Sequence, residues 1–228
     1  GIYRLIDFTK NYANKISTLP STITNVLDAG TDVELQAYRD IDIISDIVVS
    51  AGGDGGNFSM RAGRRINIEA AIDTDNGDLT LDANNCTGIS NCVSRRSTNT
   101  GWINMSGDGS IDTGTGDFTA TLGNVTGEDS GEITLIDVTT TNLTVTNNGT
   151  TANSHVSLGV SRVGTVTTPG NLSVTATTGT ITDSGVLTVT GTSSFTTSTD
   201  DALITLDSTN LFTGAVSLST AGTTGDVT

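Results

Sequence analysis

The chain has 228 residues, a formal net charge of −15, 27 Gly and only nine aromatic residues. So acidic a surface repels phosphate backbones and excludes nucleic acid as a natural partner. No run of 18 apolar residues exists, so nothing reads as a bilayer-spanning helix. Thr is the commonest residue, with 44 copies, 34 of them from position 111 onward. Thr and Val favour strands while Gly, Asn and Asp favour turns, so the class is all-β.

Residues 1–20 are mixed and hold both Lys and two of the three Tyr. Ser21 is an N-cap candidate, Ile23, Val26 and Leu27 share a face, and Gly30 suits the C′ position. This predicts one short helix over 22–29. Residues 1–29 therefore read as an N-terminal segment, a cap or docking element, and 30–228 as one continuous body. Alternating strands follow at Val33–Ala37, Ile41–Ile44, Ile47–Val49, Phe58–Ala62, Ile66–Glu69 and Leu79–Ala83.

These strands repeat. VELQAYRDIDIISDI from Val33 aligns without gaps on FSMRAGRRINIEAAI from Phe58. Val33 falls on Phe58, Leu35 on Met60, Ala37 on Ala62, Ile41 and Ile43 on Ile66 and Ile68, and Ile47 on Ile72. The segment IDTDNGD (72–78) returns as IDTGTGD (111–117). Such self-similarity marks a solenoid, whose units bury their apolar face only by stacking.

Residues 84–101 have no apolar period and read as a loop inserted into the coils. Coiling resumes at Trp102–Met105 and continues through Phe118–Leu122, Ile133–Val138, Leu143–Val145, Val156–Val160, Leu172–Ala176, Val186–Val189, Ala202–Leu206 and Val216–Leu218, now with Thr or Ser at outward positions. The expected fold is a right-handed parallel β-helix with one short N-terminal helix and an inserted loop. At about 21 residues per coil the chain would make about ten coils, a rod of about 50 Å at strand spacing. With no initiator Met, the sequence reads as a mature or excised piece of something longer.

Few residues suggest chemistry. Cys86 and Cys92 lie close together in a polar loop with no His nearby, which fits a local disulfide in an oxidising compartment better than zinc. Asp73, Asp75 and Asp78 are calcium candidates that miss the EF-hand spacing. Gly52–Asn57 is half of a calcium nonapeptide, with Asn57 where Asp belongs. His155, the single His, has no nucleophile elbow near it, and Asp200–Asp201 is the lone Asp–Asp pair, so no enzyme framework is visible. Arg61, Arg64 and Arg65 read as cross-rung partners of Asp40 and Asp42 on a solvated face. The T-x-T tripeptides at Thr144, Thr175, Thr180 and Thr188 are spaced irregularly and predict no one-per-coil ladder of the kind ice matching needs. Arg95, Arg96 and Trp102, in or beside the inserted loop, are the ligand-contact candidates.

The segments VLDAGTDVELQAYRDIDI, VVSAGGDGGNFSMRAGRRINIEAAIDTDNGDLTLDAN and SIDTGTGDFTATLGN resemble filamentous-haemagglutinin-type exoproteins, the secreted partners of bacterial two-partner secretion. The tail from Leu172 resembles the large β-strand-repeat surface proteins related to them. The resemblance implies a right-handed parallel β-helix, export to the bacterial surface, and work in adhesion, biofilm or surface fibres. The N-P-N-L and N-P-N-G-I motifs of the family's secretion domain are absent from these residues. Together these observations predict a secreted structural or adhesive rod, not an enzyme, with no cofactor beyond a calcium ion. Its partners would be adjoining coils or other copies of itself, and a protein or glycan on a host or matrix surface. The alternative is a subunit that stacks head to tail into a filament.

Overall fold

The computed structural model describes residues 2–7, 20–50, 52, 53, 55–88, 91–96, 98–223 and 225–228. It is a parallel β-solenoid. β1 (Ile2–Asp7) and α1 (Pro20–Asp28) precede the coils. Coil one is β2 (Asp32–Ala37), β3 (Asp40–Ile43) and β4 (Ile47–Val48); coil two is β5 (Phe58–Ala62), β6 (Arg65–Ile68) and β7 (Ala71–Asp73). Coil three runs from β8 (Leu79–Ala83) through α2 (Cys92–Arg95) to β9 (Gly101–Met105) and β10 (Ser110–Asp112). Coils four and five are β11 (Phe118–Leu122) with β12 (Ser130–Thr140), and β13 (Leu143–Asn147) with β14 (Val156–Val163). Coil six is β15 (Leu172–Ala176), β16 (Ile181–Asp183) and β17 (Leu187–Val189); coil seven is β18 (Ser193–Asp200), β19 (Ile204–Thr205) and β20 (Leu211–Phe212). β21 (Val216–Ala221) starts the next turn.

The first strand of every coil joins one nine-stranded sheet, β1-β2-β5-β8-β11-β13-β15-β18-β21. The remaining strands form a twelve-stranded sheet in two rows, which β12 and β14 cross in single bent strands. The solenoid thus has three faces. The internal alignment is the register itself: Val33 pairs with Phe58, Leu35 with Met60, Ile41 with Ile66, and Ile47 with Ile72. Ile72 and Asp73 of the first D-T-x-x-G-D segment pair with Ile111 and Asp112 of the second.

Seven complete coils form where the uniform repeat length gave ten. Their opening inward residues are Val33, Phe58, Leu79, Phe118, Leu143, Leu172 and Ser193, then Val216. The steps vary because corners carry insertions, the largest between Leu79 and Phe118. Nine strands at about 4.8 Å give a stack of about 40 Å.

The core is one column of Ile, Val, Leu, Phe, Met and Ala from all three faces. Its corners are polar. Buried Thr113 donates to Gly116 O (2.8 Å) and contacts the Thr140 hydroxyl (2.8 Å). Just before the first strand of each coil runs a second ladder, in which a side-chain oxygen accepts the backbone N–H of its counterpart one coil on. Asp32 accepts from Asn57 (2.9 Å), Asn57 from Asp78 (2.9 Å), Asp78 from Asp117 (2.8 Å), Asn142 from Asn171 (2.9 Å) and Asn171 from Thr192 (2.9 Å). Thr31 and Thr141 precede Asp32 and Asn142, but at Asn57, Asp78, Asp117, Asn171 and Thr192 the preceding residue is Gly, for a steric reason. A Cβ on Gly77 would lie 2.2 Å from Gly56 O, and one on Gly214 2.1 Å from Gly191 O.

α1 begins at Pro20, so the helix includes Ser21 and does not start after it. Pro is pre-set for a first helical position. The helix ends in a Schellman motif, Thr31 N–H to Val26 O (3.2 Å) and Gly30 N–H to Leu27 O (2.9 Å), with Gly30 at φ 67°. β1 pairs with β2 across six residues, so residues 1–29 contribute a strand that the sequence reading lacks. α2, inside the inserted loop, was likewise not read from sequence.

Candidate binding groove

The outward positions of β6, β9 and β12 build a concavity. Inward Ile66, Ile68, Ile103 and Met105 are buried, so the alternating residues face out. Register sets Arg65 beside Trp102 and Asn67 beside Asn104. The next coil breaks step. Ser130 pairs with Gly101 and Ile133 with Ile103, so Gly131 and Glu132 together oppose Trp102 alone. This bulge re-aims the strand. Of the two residues opposite Trp102, Gly131 adds no side chain to the hollow and Glu132 lines it.

On the other side Trp102 is held firmly. The Arg65 guanidinium lies 4.3 Å from the indole centroid. Arg65 is itself fixed by Asp40, at 3.2 and 3.0 Å. Trp102 Nε1–H donates to Asn67 Oδ1 (2.8 Å), and Asn67 Nδ2–H donates to Asp42 Oδ1 (2.6 Å). Asp42, Asn67 and Trp102 thus form one oriented chain across three coils.

The far wall comes from coil five. Thr151 and Ser154 hydroxyls both donate to Ser130 O, at 2.5 and 3.1 Å, which ties the turn carrying Asn153 to the start of β12. Asn147 Nδ2–H holds His155 O (3.0 Å). His155 Nδ1 accepts the backbone N–H of Thr180 (3.0 Å), so the neutral ring carries its proton on Nε2. The hollow, about 530 Å³, is lined by Asn67, Trp102, Asn104, Gly131, Glu132, Asn153 and His155. Glu132 is its single carboxylate. The side chains of Asn104, Glu132 and Asn153 make no hydrogen bond to the described residues.

The other candidates are placed elsewhere. Cys86 and Cys92 are joined by a disulfide, Cα–Cα 5.3 Å. Arg96 is a correction. Its side chain is fully buried, donating to Gly63 O (2.7 Å) and paired with Glu128 (2.5 Å) and Asn84. Burial pulls the Arg96 pKa below the usual guanidinium value, against the pull of Glu128. It pins the inserted loop to the coil corner and cannot meet a ligand. Arg95 is exposed, its guanidinium 5.2 Å from the Tyr38 ring centroid. Arg64 was read as a member of a solvated ion pair. It is 2% exposed and bonded to Asp40.

Asp73, Asp75 and Asp78 serve turns. Asp73 accepts from Asp75 N–H (2.9 Å), Asp75 from Gly53 N–H (2.9 Å) and Asp78 from Asp117 N–H. Among the described residues no group of three or more His, Cys, Asp or Glu side chains converges on a metal-sized space. Asp54, in the half nonapeptide, lies outside the described residues. Of the groove, Trp102 was legible in sequence as the lone Trp beside the loop. Glu132, Asn67 and Asn153 were not, because the bulge in β12 and the stacking of separate coils that bring them together leave no mark on the sequence.

A family described as repeats of unknown function (DUF5649) matches residues 151–219, the span from the turn behind the groove to β21. Neither the curated proteins nor the solved structures include a match to this chain. Among the described residues no helix is long and apolar enough to cross a membrane.

Proposed function

We propose that this chain is a segment of an extracellular adhesive or structural rod on a bacterial surface, working by shape and binding and not by catalysis. The observation that carries the reading is the uninterrupted stack of coils, with core, corner ladders and first-face register running from end to end. Such a stack is stiff along its axis because each coil is bonded to its neighbours along every strand. In coils four to seven its first face offers outward Thr119 and Thr121, Thr144 and Thr146, Ser173 and Thr175, Ser194 and Thr196 in register, all uncharged, whereas coils one to three carry Glu34, Arg61 and Asp82 on that face. The disulfide suits an oxidising compartment, and the resemblance to two-partner-secretion exoproteins points the same way.

The test is attachment: particles coated with the purified chain are scored for retention on bacterial, host-cell and matrix surfaces under flow. Retention above an uncoated control on at least one surface is the expected result. Failure on all three, with the coated chain folded, would overturn it.

A further inference from the structure

We infer that the groove around Trp102 binds a neutral pyranose unit of a glycan. A sugar ring presents an apolar C–H face and a rim of hydroxyls, and the groove offers the complement of each. Trp102, half-buried and held in place by Arg65 and Asn67, supplies a rigid aromatic face opposite side-chain-free Gly131. Around it stand the amides of Asn104 and Asn153, each donor and acceptor, the acceptor Glu132 and the Nε2–H of His155. These groups match hydroxyls, which both donate and accept.

The charge argues for a neutral ring. Glu132 is the one ionised group lining the hollow, and the nearby Arg65 is already engaged by Asp40. A uronate or sulfated sugar would meet a like charge with no free cation. Glycosidic hydrolysis uses a pair of carboxylates, and one carboxylate points to binding. Coils three to five span two strand spacings, about 10 Å, room for one or two sugar rings.

The inference rests on the adhesive reading only in treating the groove as its contact. Trp102 is the single Trp, so its fluorescence reports the groove directly. The whole chain is titrated with neutral mono- and disaccharides of gluco, galacto, manno and N-acetylhexosamino configuration, and with an oligogalacturonate. A saturable emission change with at least one neutral sugar, and none with the uronate, is expected. By calorimetry, Asn153→Ala and Glu132→Gln, both at exposed positions, should weaken that sugar about threefold to tenfold, and Trp102→Leu at least tenfold. No saturable response to any neutral sugar at tens of millimolar overturns the inference, as does unchanged affinity in both Asn153→Ala and Trp102→Leu. Particles that still attach when coated with Trp102→Leu leave the adhesive reading standing and remove this one. Sugar binding without attachment does the reverse.

Discussion

Coils one to four and coils five to seven solve the same problem with different chemistry. Where a strand turns into the next face, backbone groups point into a crowded corner and must be paired. The early coils use ions. Buried Arg64 is bonded to Asp40, and buried Arg96 to Glu128 and Gly63 O. The later coils use short side chains: Asn147 bonds Gly131 O, His155 O and Gly149 N–H, and the Asp183 carboxylate accepts from Asp207 N–H, Ser208 N–H and Asn210 Nδ2–H. After Arg96 the chain has no Lys and one Arg, the exposed Arg162. The ionic corner sits where the inserted loop must be anchored, and a long guanidinium reaches across it. A short amide suffices where coils follow each other directly.

Breaking the ionic corner should have the largest effect. Glu128→Ala leaves Arg96 charged and buried, and should cost about 3–5 kcal/mol by chemical denaturation. An unchanged midpoint would mean that the two corners are equivalent. The neutral corner should be softer: Asn147→Ala strands two carbonyls and should cost about 1–3 kcal/mol. Acid separates two kinds of carboxylate within the early coils. Burial raises the Asp40 pKa, but the hydrogen bonds and charges of Arg64 and Arg65 outweigh it and hold it below the usual carboxylate value. Its stabilisation is therefore complete above the unfolded-state pKa and is lost as pH falls through the lower folded value. Burial holds Asp82 and Asp73 above the usual value. Their ionisation opposes folding, so stability from their protonated forms is lost as pH rises through the raised values. Asp40→Asn should flatten the acid limb of a stability–pH profile, and Asp82→Asn should leave it in place. A steep acid limb in Asp40→Asn would locate the acid response elsewhere.

The outer ladder should matter less. Asn171→Ala removes one side-chain bridge to Thr192 N–H at an exposed position, and should cost about 1 kcal/mol. Smallest of all is Arg162, half exposed and paired with half-exposed Asp137 at 2.8 Å. Arg162→Ala should change stability by about 0–1 kcal/mol, and added salt should erase the difference. A large loss there would make exposed pairs the equals of the Arg96 corner.

The sequence by itself determined the fold class and, in coils one to three, the register. Ile, Val and Leu recur there at positions that stacking must align, and a one-residue slip would turn every core residue outward. It also carried the G-D and G-N corners, since the Gly approach leaves no room for a Cβ. Tertiary structure alone decided the rest. β18, SSFTTSTD, has too few apolar residues to announce itself, yet stacking buries Ser193, Phe195 and Thr197. The T-x-T tripeptides, irregular in sequence because corner lengths vary, fall on different faces. The regular hydroxyl ladder combines Thr119, Thr144, Ser173 and Ser194 across coils. The fate of Arg96 and the gathering of Trp102 with Glu132, Asn153 and His155 depend on contacts between coils that sequence neighbours do not encode. Periodicity records what each residue faces within its own coil, whereas a groove is made by what the neighbouring coils omit.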